Sequence, residues 1–257
     1  MGKSIAIFNQ KGGVGKTTTS VNLSASIGKL GKKVLILDMD PQGNTTSGYG
    51  IDKDTIENTI YEVIVDGLDI RKAIIKTEFD NIHIVAAASE LAGVEIELAN
   101  EHDREYRLRN SIDKIKYTYD YIFIDCPPSL GMLTINALTA VDSVLIPIQC
   151  EYYALEGVSQ LMSTYKLVKK RLNPKIEIQG VVLSMFDGRA NLSIQVVEEV
   201  KKYFKGSVYT TLIPRNVRLA EAPSYGKPVI YYDSKCRGTL AYKDLAKEFI
   251  ELEEDII

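Results

Sequence analysis

Lys11-Gly12-Gly13-Val14-Gly15-Lys16-Thr17-Thr18 places two lysines and two hydroxyls in one glycine-rich run. Gly15-Lys16-Thr17 matches the end of the Walker A phosphate-binding pattern, although Gln10 stands where that pattern opens with glycine. Such a loop turns backbone N–H groups and a helix N-terminus toward bound phosphate. By loop position, Lys16 reaches the β- and γ-phosphates of ATP or GTP and the Thr17 hydroxyl ligates Mg²⁺. Acids close two apolar runs. Leu35-Ile36-Leu37 leads into Asp38 and Asp40, and Tyr121-Ile122-Phe123-Ile124 leads into Asp125. A carboxylate there holds Mg²⁺, directly or through water, or orients an attacking water. A lone Asp after a strand is more often a turn residue, but two such sites beside a phosphate loop reverse those odds. One lysine suffices to grip a nucleotide's phosphates, so Lys11 needs a role of its own.

These residues need strands that end in loops and helices that follow. Strands are expected at residues 4–9, 33–39, 81–86, 121–125, 143–147, 176–185 and 208–213. Helices are expected at 17–30, 55–65, 89–99, 103–116, 130–139, 154–171, 192–204 and 239–254. Nearly continuous apolar strands suit a sheet covered on both faces. The alternation implies an α/β fold, a doubly wound, mostly parallel sheet with helices on both sides. Ligands then sit at the carboxyl ends of the strands, where the glycine loop lies. No repeat, low-complexity tract or linker divides the chain, so residues 1–257 are expected to form a single domain that carries the P-loop.

The 257 residues are 45% hydrophobic, ample for a core. No run of about 18 apolar residues occurs, and no basic leader with an apolar stretch opens the chain. Three unpaired cysteines, Cys126, Cys150 and Cys236, fit a reduced, cytoplasmic protein without structural metal. Cys126 reads as a small buried residue and His83 as structural. The net charge of −3 conceals an asymmetry: residues 165–247 hold sixteen Lys and Arg against seven Asp and Glu. A basic C-terminal third suits a polyanionic partner.

Three motifs together make the chain resemble the ParA/Soj family of deviant-Walker ATPases. They are KGGVGKTT, LDMDPQGNTTSG and FIDCPPSLG. PIQCEYYALEG at 147–157 and IPRNVRLAEAP at 213–223 extend the likeness over essentially the whole chain and point to the chromosomal Soj type. The resemblance implies the SIMIBI branch of the P-loop fold, Mg²⁺-dependent hydrolysis of ATP to ADP, and an ATP-dependent homodimer. Lys11 resembles the signature lysine that crosses the dimer interface to the partner's phosphates, acting as an arginine finger does in trans. Asp40 matches the water-orienting acid and Asp125 the acid that holds Mg²⁺ partly through water. Asp38 matches a support for the Mg²⁺ shell. Phe186, Pro214 and Asn216 fall near the adenine seat. Arg189 and Arg218 match positions used for sequence-independent contact with double-stranded DNA, and Lys201, Lys202, Lys227, Lys235 and Arg237 extend that basic surface. Phosphate contacts of this kind carry no sequence preference. The family further implies nucleoid association and a ParB/Spo-type centromere-binding partner that stimulates hydrolysis.

Related classes fit less well. A MinD-like membrane ATPase needs a basic amphipathic terminus, whereas this chain ends Glu251-Leu252-Glu253-Glu254-Asp255-Ile256-Ile257. An iron–sulfur carrier needs clustered cysteines. A dethiobiotin- or cobyrinate-synthetase type of ligase shares the loop but not the basic third or the run at 213–223.

Overall fold

Strand β1 (Lys3–Ile7) lies at the middle of one eight-stranded sheet. The computed structural model describes residues 2–151 and 156–254, and shows helices on both faces of that sheet. In chain order the other strands are β2 (Val34–Asp38), β3 (Ile74–Lys76), β4 (Ile82–Val85), β5 (Tyr121–Asp125), β6 (Ser143–Gln149), β7 (Glu177–Phe186) and β8 (Val208–Pro214). The spatial order is β3-β4-β2-β5-β1-β6-β7-β8, and every pairing is parallel except β3 with β4.

Successive strand residues face opposite ways. Leu35, Leu37, Ile122 and Ile124 therefore pack on one side, and Val34, Ile36, Tyr121 and Phe123 on the other. The first side is covered by α3 (Ile60–Ile64), α4 (Val94–Glu97), α5 (Arg107–Ile112), α6 (Met132–Ala140), α7 (Glu156–Arg171) and α8 (Asn191–Tyr203). The second is covered by α1 (Lys16–Lys29) and α11 (Arg237–Glu254), which pack on each other. Short helices α2 (Asn44–Gly48) and α9 (Val217–Glu221) fill loops at the strands' carboxyl ends, and α10 (Val229–Tyr232) packs along α1, with Tyr231 against Asp80 just ahead of β4.

Helix α1 is buried on most of its circumference, yet it is rich in hydroxyls. The buried ones find partners: Ser24 meets the Tyr49 hydroxyl at 2.7 Å, Ser26 donates to the Asn22 carbonyl at 2.7 Å, and Thr19 meets Tyr242 at 3.2 Å. Gly28 lets the helix pass the Asp80 carbonyl, where a Cβ would come within 2.5 Å of that oxygen. A second close approach joins the loop after α2 to the loop after α9. A Cβ on Gly226 would meet the Gly50 Cα at 2.6 Å, and both glycines hold positive φ.

Some expected elements differ. Antiparallel β3 is too short to announce itself in the sequence pattern. The helix expected at 55–65 is a 3-10 turn at Lys53–Thr55 and then α3, because Thr59 is extended and begins α3 with a capping box through Glu62. The helix expected at 89–99 divides at Gly93. That expected at 103–116 is a 3-10 turn, Arg104–Tyr106, followed by α5, with Asp103 left-handed at its start. Tyr152 to Leu155, including the expected helix start at Ala154 and part of the run at 147–157, lie outside the described residues, as do Met1 and the last three residues.

Candidate nucleotide and anion site

β1 ends at Ile7, and the chain turns through the glycine loop into α1. Gly13 and Gly15 hold φ of 75° and 91°, values in the left-handed region that glycine adopts without Cβ strain. Asn9 braces the entrance: its side chain accepts the Lys11 N–H at 3.0 Å and donates to the Pro147 carbonyl at 2.7 Å. Ser184, on β7, donates to the Val14 carbonyl at 2.7 Å and pins the far side. Between these braces, the N–H groups of residues 12–18 find no acceptor among the described residues. A Cβ at Gly12 or Gly13 would meet nothing within 4 Å, so the loop's outer face is open. Consecutive open amides at a helix N-terminus form an anion cradle.

Lys16 lies inside this loop. It is 7% exposed, and its ammonium donates to the Lys11 carbonyl at 3.0 Å. Burial pushes that ammonium below its ordinary pKa, opposed by the charges of Asp125 and Asp40. Lys11 itself is half-buried beside Gln149 and Gly157 and makes no ion pair among the described residues.

Register places the acids. Asp38 pairs directly with Asp125 across β2 and β5, and Ile7 pairs with Asp125 across β1 and β5. Both carboxylates point to the α1 side and are fully buried. Asp125 accepts three hydroxyls, Thr17 and Ser20 at 2.9 Å each and Thr45 at 2.7 Å. Asp38 accepts the Thr46 N–H and hydroxyl, both at 2.7 Å, and the Asp40 N–H at 3.2 Å. Burial pushes both acids upward in pKa, and Asp125 pushes Asp38 further; the hydrogen bonds resist. Asp40 is half-buried at the mouth, where its carboxylate accepts the Gln42 N–H at 3.0 Å. Cys126 is buried, and that burial pushes its thiol up.

Among the described residues no three His, Cys, Asp or Glu side chains gather as a metal site. The donor set nevertheless fits Mg²⁺, which takes one or two protein oxygens and completes its shell with phosphate and water. Thr17 and Asp125, 2.9 Å apart, are the pair at hand. Asp38 lies deeper, with both oxygens already engaged by Thr46 and Asp40.

A cleft of about 210 Å³ opens beside the loop, lined by Gly15, Thr18, Met185, Pro214, Asn216 and Leu219 among others. Pro214 and Asn216 thus line the cleft beside the phosphate loop. Phe186 does not: it pairs with Pro214 in register but packs on the α7–α8 side, and its neighbour Met185, with φ 54°, lines the cleft instead. The Asn216 oxygen caps α9 through the Arg218 N–H at 2.9 Å.

Arg189 follows β7, and Arg218 lies on α9 just after β8, so adjacent strands bring both to one edge. Lys227, Lys235 and Arg237 are exposed on the segment that follows α9. Lys201 and Lys202 are not part of this group. They lie at the far end of α8, whose 13 residues carry the chain about 20 Å toward the opposite edge of the sheet. Lys202 is paired there with Glu199 at 2.7 Å. Sequence reasoning gave no role to Ser20, Thr45, Thr46 or Met185, nor to Arg215, exposed between the arginines and 3.1 Å from Glu151. The threonines were visible in the run at 37–48, but only strand register shows which acids they meet.

A strand–loop–helix phosphate cradle with acids on neighbouring strand ends defines a P-loop NTPase of the SIMIBI group. The comparisons agree. A family model described as AAA domain (AAA_31) matches residues 2–178. The sporulation initiation inhibitor protein Soj of Bacillus subtilis is 60% identical over 248 residues, covering 96% of this chain and 98% of that protein. The chromosome partitioning protein ParA of Myxococcus xanthus is 53% identical over 251 residues, covering 98% and 89%. Among solved structures, cobyrinic acid a,c-diamide synthase from Mycobacterium smegmatis with bound ADP and magnesium superposes with a TM-score of 0.84 at 34% identity, covering 96% and 93%. The chain belongs to the ParA/Soj family of chromosome-partitioning ATPases.

Proposed function

We propose that this ATPase is a nucleotide-bridged dimer switch on DNA. It binds ATP with Mg²⁺, pairs with a second copy, holds double-stranded DNA without sequence preference, and lets go on hydrolysis. The observation that carries this reading is the division of labour between the two loop lysines: Lys16 closes onto its own loop, while Lys11 stays outside any described ion pair at the open face. Lys16 then serves the subunit's own phosphates, and Lys11 reaches those of the partner, neutralising charge as phosphoryl transfer proceeds. Asp40, at the mouth, orients the attacking water. Thr17 and Asp125 hold Mg²⁺, partly through water, and the metal when bound draws charge from the transferring phosphoryl group. Pro214 and Asn216 seat the adenine.

Arg189 and Arg218, with Lys227, Lys235 and Arg237, make the DNA surface. Dimerisation doubles its phosphate contacts, and affinity rises steeply with their number. A ParB/Spo-type partner stimulates hydrolysis, and the chain associates with the nucleoid. Residues 1–257 act as one ATPase domain. The MinD-like alternative is disfavoured because α11 uses its apolar face inside the protein, with Tyr242, Leu245 and Phe249 at most 1% exposed. No described helix is long and apolar enough to cross a membrane. Gel filtration with ATP, ADP or no nucleotide, with and without DNA, tests the reading. A dimer should form with ATP alone, and only that dimer should shift with DNA. A monomer under every condition would overturn it.

A further inference from the structure

Both arginines of the DNA surface are already occupied. Arg189 grips Asp187 in a two-pronged contact, Nε to Oδ1 and Nη2 to Oδ2, each at 3.0 Å. Arg218 pairs with Glu221 at 2.7 Å and with Asp233 at 3.4 Å. The Tyr232 hydroxyl also donates to Glu221, at 3.4 Å, which fixes that carboxylate beside the guanidinium. Arg189 is exposed (91% for its side chain), so solvent reaches it freely although its charge is matched. The Asp187 carboxyl is held down to about 2 by this arginine, so it stays ionised at any physiological pH. By contrast, Lys227, Lys235 and Arg237 carry no carboxylate partner among the described residues.

We propose that Asp187 and Glu221 are built-in competitors for the DNA phosphates, and that they hold a single subunit's DNA affinity below the level that retains it on DNA. The proposal rests on the DNA-binding reading above. A phosphate approaching Arg189 or Arg218 must displace a carboxylate from the guanidinium, and the displaced charge stays close enough to repel the phosphate. One subunit therefore offers DNA chiefly its unmatched cations. Two subunits on one duplex double those contacts and overcome the competition. The acids thus make the dimer a requirement for DNA retention.

Asp187→Asn with Glu221→Gln removes the closer carboxylate from each arginine and keeps side-chain shape, while Asp233 stays 3.4 Å from Arg218. The Oδ1 atom of residue 187, which accepts the Arg189 N–H in the local turn, is retained as an amide oxygen. Neither acid belongs to the proposed nucleotide machinery, so basal ATP hydrolysis stays at the wild-type rate. The probe is a fluorescein-labelled duplex of random sequence, about two helical turns long, read by anisotropy across a salt titration. Exposed pairs of this kind are weak, so removing the closer carboxylate from each arginine should tighten binding about two- to fivefold. The double variant should then release DNA at higher salt and bind measurably without nucleotide, where wild type does not. Unchanged or weaker binding, while Arg189→Glu with Arg218→Glu abolishes wild-type retention, overturns the competition with the surface intact. If that arginine double variant retains DNA like wild type, the surface lies elsewhere and the proposal falls with it.

Discussion

Thr46 joins three groups that burial would otherwise leave unmatched. Its hydroxyl donates to Asp38 at 2.7 Å and accepts the Ala87 N–H at 3.0 Å, while its own N–H also reaches Asp38. Thr46→Val keeps the shape and removes the hydroxyl, so it should cost about 1–3 kcal/mol in urea denaturation, the usual penalty for orphaning a buried donor or acceptor. The two lysines separate by their effects. Lys16→Ala should abolish ATP binding in calorimetry, whereas Lys11→Ala should spare binding to the monomer and prevent ATP-dependent dimer formation in gel filtration. Asp40→Ala should bind ATP, release phosphate far more slowly than wild type and accumulate as the dimer. The loop and the acids Asp38, Asp40 and Asp125 could be picked out from motif and spacing alone. Ser20, Thr45 and Thr46 could not, because their partners are set by the pairing of β2 with β5, which spacing along the chain does not reveal. Counting charge along the chain likewise groups Lys201 with Arg189, although a helix of 13 residues separates them.

At the scale of elements, long apolar strands and the longer helices follow hydrophobic period, and these are where pattern and structure agree. The departures are short and held by tertiary contacts. Helix α2 is five polar or small residues, NTTSG, with no apolar period; its threonines are held by two buried carboxylates. The start of β6 is tied to neighbouring elements by Asp142, which meets the Lys116 ammonium at 2.6 Å and the Ser4 N–H at 2.8 Å. Burial alone would raise the Asp142 carboxyl, but the Lys116 contact and the Ser4 hydrogen bonds hold it below the ordinary carboxylate value. A depressed native pKa gives stability that is present above the unfolded-state value and lost as pH falls through the native one. Asp142→Asn should therefore lower Tm at neutral pH and flatten the acid limb of the Tm–pH curve. An acid limb as steep as wild type would remove Asp142 from that role.

For the whole molecule, the phosphate loop after β1 lies at the centre of the sheet's carboxyl edge, and the loops after β7 and β8, which carry the proposed DNA surface, lie to one side. Arg189→Glu with Arg218→Glu should eliminate salt-sensitive retention of DNA in gel shifts and leave the ATP-dependent dimer intact. The dimer and the DNA contact are then separable by mutation although they are neighbours in space.

The crossing of Gly50 and Gly226 works as a rivet between two stretches of backbone. On one side the chain leads back to Thr45 and Thr46, on the other to Arg218, and no side chain intervenes at the crossing to absorb a displacement. The two stretches therefore touch backbone to backbone, and an alanine at either glycine would drive them apart. For protein engineering, a tag, crosslinker or inserted loop at either point would loosen both surfaces together, while the open turn at Gly206, where a Cβ meets nothing within 4 Å, leaves them undisturbed.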